Sequence, residues 1–207
     1  MLGRLLRKDK AEGGCLYRQC RHKLKHRRRP VGKLTSIPNC RSIHERPSDV
    51  DGTHFGDWEM DTIVGPNNEG AIVTLTERSV IFMMMKKLPF GKDSKKLADA
   101  VVELLFQYMH SIRSIATDNG TEFADHQSIS RRLGGVPIFF ADPFSSWQKG
   151  SIENINMLAR QYIPKGSDFK NISDDFITAI QYKIKALVRH LTDFFCSCHN
   201  KWIIIKL

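Results

Sequence analysis

The sequence predicts an α/β domain on a mixed sheet of about five strands, three antiparallel and then parallel, with helices on both faces. Three observations carry this. Short runs with strand character cluster between Trp58 and Met85, separated by turn residues. A stripe of apolar residues at helical spacing follows over 94–110. Two further short apolar runs then alternate with helical stretches, and strands that alternate with helices pair in parallel.

The elements follow in order from Phe55. Trp58-Glu59-Met60-Asp61-Thr62-Ile63-Val64 alternates polar and apolar residues and stops at Gly65-Pro66-Asn67-Asn68, a strand followed by a turn. Residues 71–75 and 80–85 are apolar and partly β-branched with only Thr76-Glu77-Arg78-Ser79 between them, which completes an antiparallel meander. Leu97, Val101, Leu104, Leu105 and Tyr108 then form the stripe of a helix packed on a sheet. A strand over 112–117 ends at Asp118-Asn119-Gly120. A polar helical stretch leads to Gly134-Gly135, and 136–140 makes another strand. From about Ser145 the chain is helical in composition through Tyr162, with Pro164 and Gly166 beyond as stops, and Ser173 caps a last helix.

Charge is uneven along the chain. Residues 1–50 hold 14 Lys and Arg against 4 Asp and Glu, and the remaining residues balance at 18 and 18, so the whole net charge of +10 lies in the first quarter. A concentrated positive segment binds polyanions by releasing their counterions. His26-Arg27-Arg28-Arg29-Pro30, with no sustained period around it, reads as a basic, mostly extended arm that binds phosphates through Arg27, Arg28 and Arg29. No apolar run approaches the roughly 18–20 residues of a membrane span, so the expectation is a cytoplasmic protein with no membrane partner. Five irregularly spaced cysteines read as reduced thiols, and Cys15 and Cys20 with His22 and His26 are not read as a zinc site.

Three acids stand where one sheet edge would gather them: Asp61 on the first strand, Asp118 at the end of the fourth and Glu153 on the helix after the fifth. Cleaving a phosphodiester requires an activated attacking oxygen and a neutralised leaving oxygen, and two divalent ions held by carboxylates supply both. Spacing alone does not single out Asp61, because Asp57, Glu59 and Asp61 share one strand face.

In order, Gly56-Asp57-Trp58-Glu59-Met60-Asp61, Thr117-Asp118-Asn119-Gly120-Thr121-Glu122-Phe123 and 147–156 from Trp147 to Asn156 resemble the three catalytic blocks of the insertion-sequence-thirty transposases. The stretch from Arg160 to Phe169 resembles that family's signature after its glutamate, and the likeness covers about 15–183. It implies an RNase H-like core over 51–183 in which Asp61, Asp118 and Glu153 form a DDE triad holding Mg²⁺ or Mn²⁺, two ions, with no small-molecule cofactor. Thirty-four residues separate the second and third acids, the usual interval for such cores.

The resemblance further implies cleavage and strand transfer on DNA, at element ends and target, by a homo-oligomer on DNA. Arg160 follows Glu153 by two helical turns and is expected to hold a phosphate. Lys149 and Lys165 are expected to contact the DNA backbone, and Asn119 is auxiliary. Residues 1–50 are read as the remnant of a region following a helix-turn-helix domain, and 184–207 as a frameshifted tail in which Cys196, Cys198 and His199 are coincidental. The competing reading is an inactive DNA-binding remnant of a decayed insertion sequence.

Overall fold

A computed structural model describes residues 2–19, 37–66, 69–88, 91, 93–143 and 145–199. It divides into two compact units, residues 1–34 and 35–207.

In the first unit, α1 (Leu2–Ala11) is followed by a 3-10 turn, Leu16–Gln19. The extended arm expected over 1–50 is therefore helical at its start. Leu, Arg, Lys and Ala favour helix individually, although so short a segment shows no long stripe. Lys8 and Lys10 lie in the last turn, where cations suit the helix dipole. Asp9 then accepts the Leu16 amide at 2.9 Å and fastens the turn that follows. Arg27, Arg28 and Arg29 lie outside the described residues.

The second unit holds a six-stranded sheet of β1 (Arg41–Ser42), β2 (Asp57–Val64), β3 (Ala71–Glu77), β4 (Phe82–Leu88), β5 (Ser114–Thr117) and β6 (Ile138–Phe140), in the order β1-β6-β5-β2-β3-β4. β2, β3 and β4 form the antiparallel meander, and β5, β6 and β1 add in parallel. The count exceeds expectation by β1, whose two residues on the sheet edge are too few to show alternation. With Ile37 and Val50 buried, residues 37–50 belong to this unit, and the expected boundary at residue 50 falls inside it.

Helices α2 (Ser94–Leu105), α3 (His126–Arg132), α4 (Gly150–Tyr162) and α5 (Asp174–His199) cover the two faces. On one face Trp58, Met60, Val73 and Leu75 pack with Leu97, Val101, Leu105 and Ile129 of α2 and α3. On the other, Ile63, Ile72, Met83 and Met85 pack with Ile155 and Ala159 of α4 and Ile177, Ile180 and Ile184 of α5. The alternation of β2 is thus divided between two cores. The helix expected to start near Ser145 begins at Gly150, after the 3-10 turn Ser146–Lys149. The last helix starts as expected, with Ser173 Oγ accepting the Phe176 amide at 3.1 Å. It continues past residue 183 without a break, and Ile184 is buried, so the fold shows no boundary at the position where the tail was expected to begin. Among the described residues, no helix is long and apolar enough to cross a membrane.

Candidate active site

The site begins at a glycine. Gly56 has φ 122°, and a Cβ there would stand 2.2 Å from the Ser111 carbonyl oxygen, so only glycine fits the approach of β2 to β5. Its carbonyl accepts the Arg113 amide at 2.8 Å and its amide donates to Glu77 Oε1 at 3.0 Å. Parallel pairing then sets Asp57 against Ser114 and Glu59 against Ala116. Extending that register by two residues brings Asp61 opposite Asp118, just beyond the end of β5.

The three acids on one face of β2 have different partners. Asp57 is buried, and its carboxylate accepts the Gly52 amide at 3.1 Å and the Ser114 hydroxyl at 3.1 Å. Glu59 is buried, accepts the Ile152 amide at 2.8 Å and stands 3.4 Å from Arg78 Nε. Burial nevertheless pushes the Glu59 carboxyl above its ordinary range, against the pull of that amide and of Arg78, Lys149 and Arg46. Asp61 is half-buried; its Oδ1 accepts the Thr62 amide at 2.8 Å and its Oδ2 accepts Asn156 Nδ2 at 2.8 Å. Its carboxyl is also raised, chiefly by burial and with Asp118 adding, while Lys149 and the two hydrogen bonds oppose the rise.

Lys149 joins the two aspartates. Its side chain is 4% exposed; Nζ donates to the Met60 carbonyl at 3.2 Å and lies 3.9 Å from both Asp61 Oδ1 and Asp118 Oδ2. Those two oxygens are therefore at most about 8 Å apart, within the span of a two-ion site. An outward reach to a DNA backbone, expected for Lys149, is not the conformation seen. The apolar stem and low exposure place the ammonium inside the acid cluster instead.

Glu153 lies in the first turn of α4, between Ile152 and Asn156, both bonded to β2. Its side chain is exposed, and among the described residues no group of three or more His, Cys, Asp or Glu is close enough to hold a metal ion. The structure thus unites Asp61 and Asp118 and brings the backbone of Glu153 beside them, while its carboxylate stands apart. Mutual repulsion of three anions favours that separation.

Arg160, two turns further along α4, donates through Nη2 to the Val64 carbonyl at 3.2 Å, while Nη1 is buried without a hydrogen-bond partner. Burial lowers its pKa. Lys165 is exposed in the turn after α4. Asn119 donates to the Ala141 carbonyl, tying the loop after β5 to the end of β6. Sequence reasoning passed over Glu59 as a helix anchor, Asn156 as the partner of Asp61, and Glu122, which is buried and accepts the Thr62 hydroxyl at 3.0 Å. Asn156 was detectable, because it follows Glu153 by three residues and so shares its helix face.

A mixed sheet in which Asp61 within one strand faces Asp118 just beyond the end of its parallel neighbour, with an acid-bearing helix bonded to the first strand, is an RNase H-like core. Its fold is similar to a chain of the simian T-cell lymphotropic virus intasome in complex with PP2A regulatory subunit B56 gamma, at TM-score 0.51 and 16% identity, covering 62% of this chain and 48% of that one. No protein-family model matches the chain.

Among curated proteins, it is 39% identical over 181 residues to the transposase of insertion sequence element IS4351 from Bacteroides fragilis, covering 85% of this chain and 55% of that protein. It is 37% identical over 167 residues to the transposase of IS1086 from Cupriavidus metallidurans, covering 80% and 49%. It is 36% identical over 150 residues to transposase InsI of IS30A from Escherichia coli, covering 70% and 38%. The chain belongs to this insertion-sequence transposase family, as its catalytic domain. It spans about half the length of the first two of these relatives.

Proposed function

We propose that the chain is the catalytic core of a DDE transposase, which cuts DNA strands in a metal-dependent reaction and joins the freed 3′ end to target DNA. The observation that supports this best is the convergence of Asp61, within β2, and Asp118, just beyond β5, on one buried ammonium beside the helix that carries Glu153. The donor set fits the ions: the carboxylates of Asp61, Asp118 and Glu153 are hard oxygen ligands, suited to Mg²⁺ or Mn²⁺. Two such ions, when bound, activate an attacking oxygen and neutralise a leaving one on the phosphodiester.

The chain's own residues set the geometry for that chemistry. The Ile152 amide on Glu59 and the Asn156 amide group on Asp61 hold α4, and with it Glu153, against β2. Asn156 and the Thr62 amide fix the orientation of the Asp61 carboxylate. Arg160, half-buried on α4 two turns beyond Glu153, orients a DNA phosphate, and exposed Lys165 adds a backbone contact. The basic segment with Arg27, Arg28 and Arg29 supplies affinity independent of DNA sequence. Partners on this reading are element ends, target DNA and further copies of the chain.

The test separates chemistry from binding. Glu153→Gln should leave DNA affinity nearly intact and abolish Mg²⁺- or Mn²⁺-dependent cutting. Neutralising Arg27, Arg28 and Arg29 should weaken binding to every sequence and reduce the salt slope by roughly 0.9 per lost phosphate contact. If Glu153→Gln cuts as well as the parent, the DDE assignment is wrong. If the folded parent binds DNA but cuts with neither metal, the chain is an inactive DNA-binding domain.

A further inference from the structure

Lys149 carries a buried charge at the centre of the acid cluster. A buried ammonium is strongly disfavoured unless anions accompany it, and neighbouring carboxylates are disfavoured unless a cation lies between them. Here each meets the need of the other. Asp61 Oδ1 and Asp118 Oδ2 both lie 3.9 Å from Nζ, and Glu59 adds a third negative charge to its field. The backbone that delivers the ammonium is tied down as well. Gln148 Nε2 donates to Asp142 Oδ2 at 2.9 Å, Gln148 Oε1 accepts the Asp142 amide at 2.7 Å, and Gly150 starts α4 directly after Lys149.

The pairing is incomplete in a way that matters. At 3.9 Å the ammonium makes an ion pair with each aspartate but a hydrogen bond with neither, and its donated bond goes to the Met60 carbonyl. One positive charge also faces two carboxylates. A divalent ion approaches carboxylate oxygens to roughly 2.0–2.2 Å and carries twice the charge, so it outcompetes the ammonium for them. Both cations cannot stay, because like charges at this separation in a partly dry site repel strongly.

We propose that Lys149 is a tethered counter-ion that holds Asp61 and Asp118 together in the metal-free chain and is displaced to solvent when a divalent ion binds them. This rests on the reading of Asp61 and Asp118 as metal ligands. It gives Lys149 a role other than a DNA contact, and it makes metal affinity the outcome of a competition within the protein.

Mn²⁺ alone, without DNA, tests it on the full chain. Acetylation with acetic anhydride, mapped by mass spectrometry, should find Lys149 protected relative to exposed Lys165 in chelator, and several-fold more reactive at saturating Mn²⁺. Lys149→Met should bind Mn²⁺ at least tenfold more tightly by calorimetry, and should melt lower than the parent in chelator with the loss restored by Mn²⁺. Lys149→Arg keeps the charge and should stay near the parent in both measurements. Should Lys149→Met fail to fold, acetylation of the parent still decides. Mn²⁺ binding with Lys149 equally protected overturns the displacement and leaves the metal reading intact. Failure of every folded chain to bind Mn²⁺ removes both.

Discussion

Glu59 links the strand that carries Asp61 to the helix that carries Glu153, and removing it should loosen the site and the fold together. In Glu59→Ala the Ile152 amide, within the first turn of α4, loses an acceptor at 2.8 Å that the buried interior cannot replace. An unsatisfied buried donor costs about 1–3 kcal/mol. Arg78, 3.4 Å away, also loses its partner, but at 24% exposure it recovers part of its solvation. That loss is therefore discounted to about 1 kcal/mol from the several kcal/mol of a fully buried pair.

The two effects together amount to about 3 kcal/mol, or roughly 6–12 °C of melting temperature for a chain of this size. Glu59→Gln keeps an acceptor oxygen of the same reach and should stay within about 1 kcal/mol of the parent at neutral pH. Burial holds the Glu59 carboxyl above its ordinary range. The stability of the protonated form is thus fully present below the ordinary glutamate pKa and is lost as pH rises through the raised one. The advantage of the parent over Glu59→Gln should shrink with rising pH across that window. Thermal melts of the three chains from acid to neutral pH, with Mn²⁺-dependent cleavage measured alongside, check this. A Glu59→Ala chain as stable as the parent, or a parent advantage that grows with pH, would refute the anchoring role.

Two further outcomes are expected. Asn156→Ala removes the donor to Asp61 Oδ2 and should slow Mn²⁺-dependent cleavage about tenfold, ~1.4 kcal/mol of barrier, while DNA affinity stays unchanged in a binding titration. An unaltered rate would show that the orientation of Asp61 does not depend on it. Ile184 is 1% exposed and packs among Ile155, Ala159, Ile177 and Ile180. Ile184→Ala should cost about 2–5 kcal/mol and lower the melting temperature accordingly in circular-dichroism melts. An unchanged melt would place residues from 184 onward outside the core.

The sequence alone determined the meander and the crossing helices. Alternation along 58–64, the stripe on 94–110, whose α-helix ends at Leu105, and the turn residues at 118–120 are local signals, because side-chain periodicity and turn chemistry act over a few residues. It could not register β1, whose two residues are too few to alternate, nor α1, whose helical propensity lies in individual residues.

Only the tertiary structure showed which partners Asp57, Glu59 and Asp61 each have. All three share one strand face, and only their partners distinguish them: Ser114 and the Gly52 amide for Asp57, the α4 amide and Arg78 for Glu59, Asn156 and the neighbouring ammonium for Asp61. Lys149 shows the same limit. A lysine four residues before Glu153 reads as a phosphate contact, and only the packing of α4 on β2 reveals that its charge lies beside Asp61 and Asp118. Long-range partners set burial and electrostatics, and residues 89 positions apart, such as Met60 and Lys149, leave no periodic trace in the chain between them.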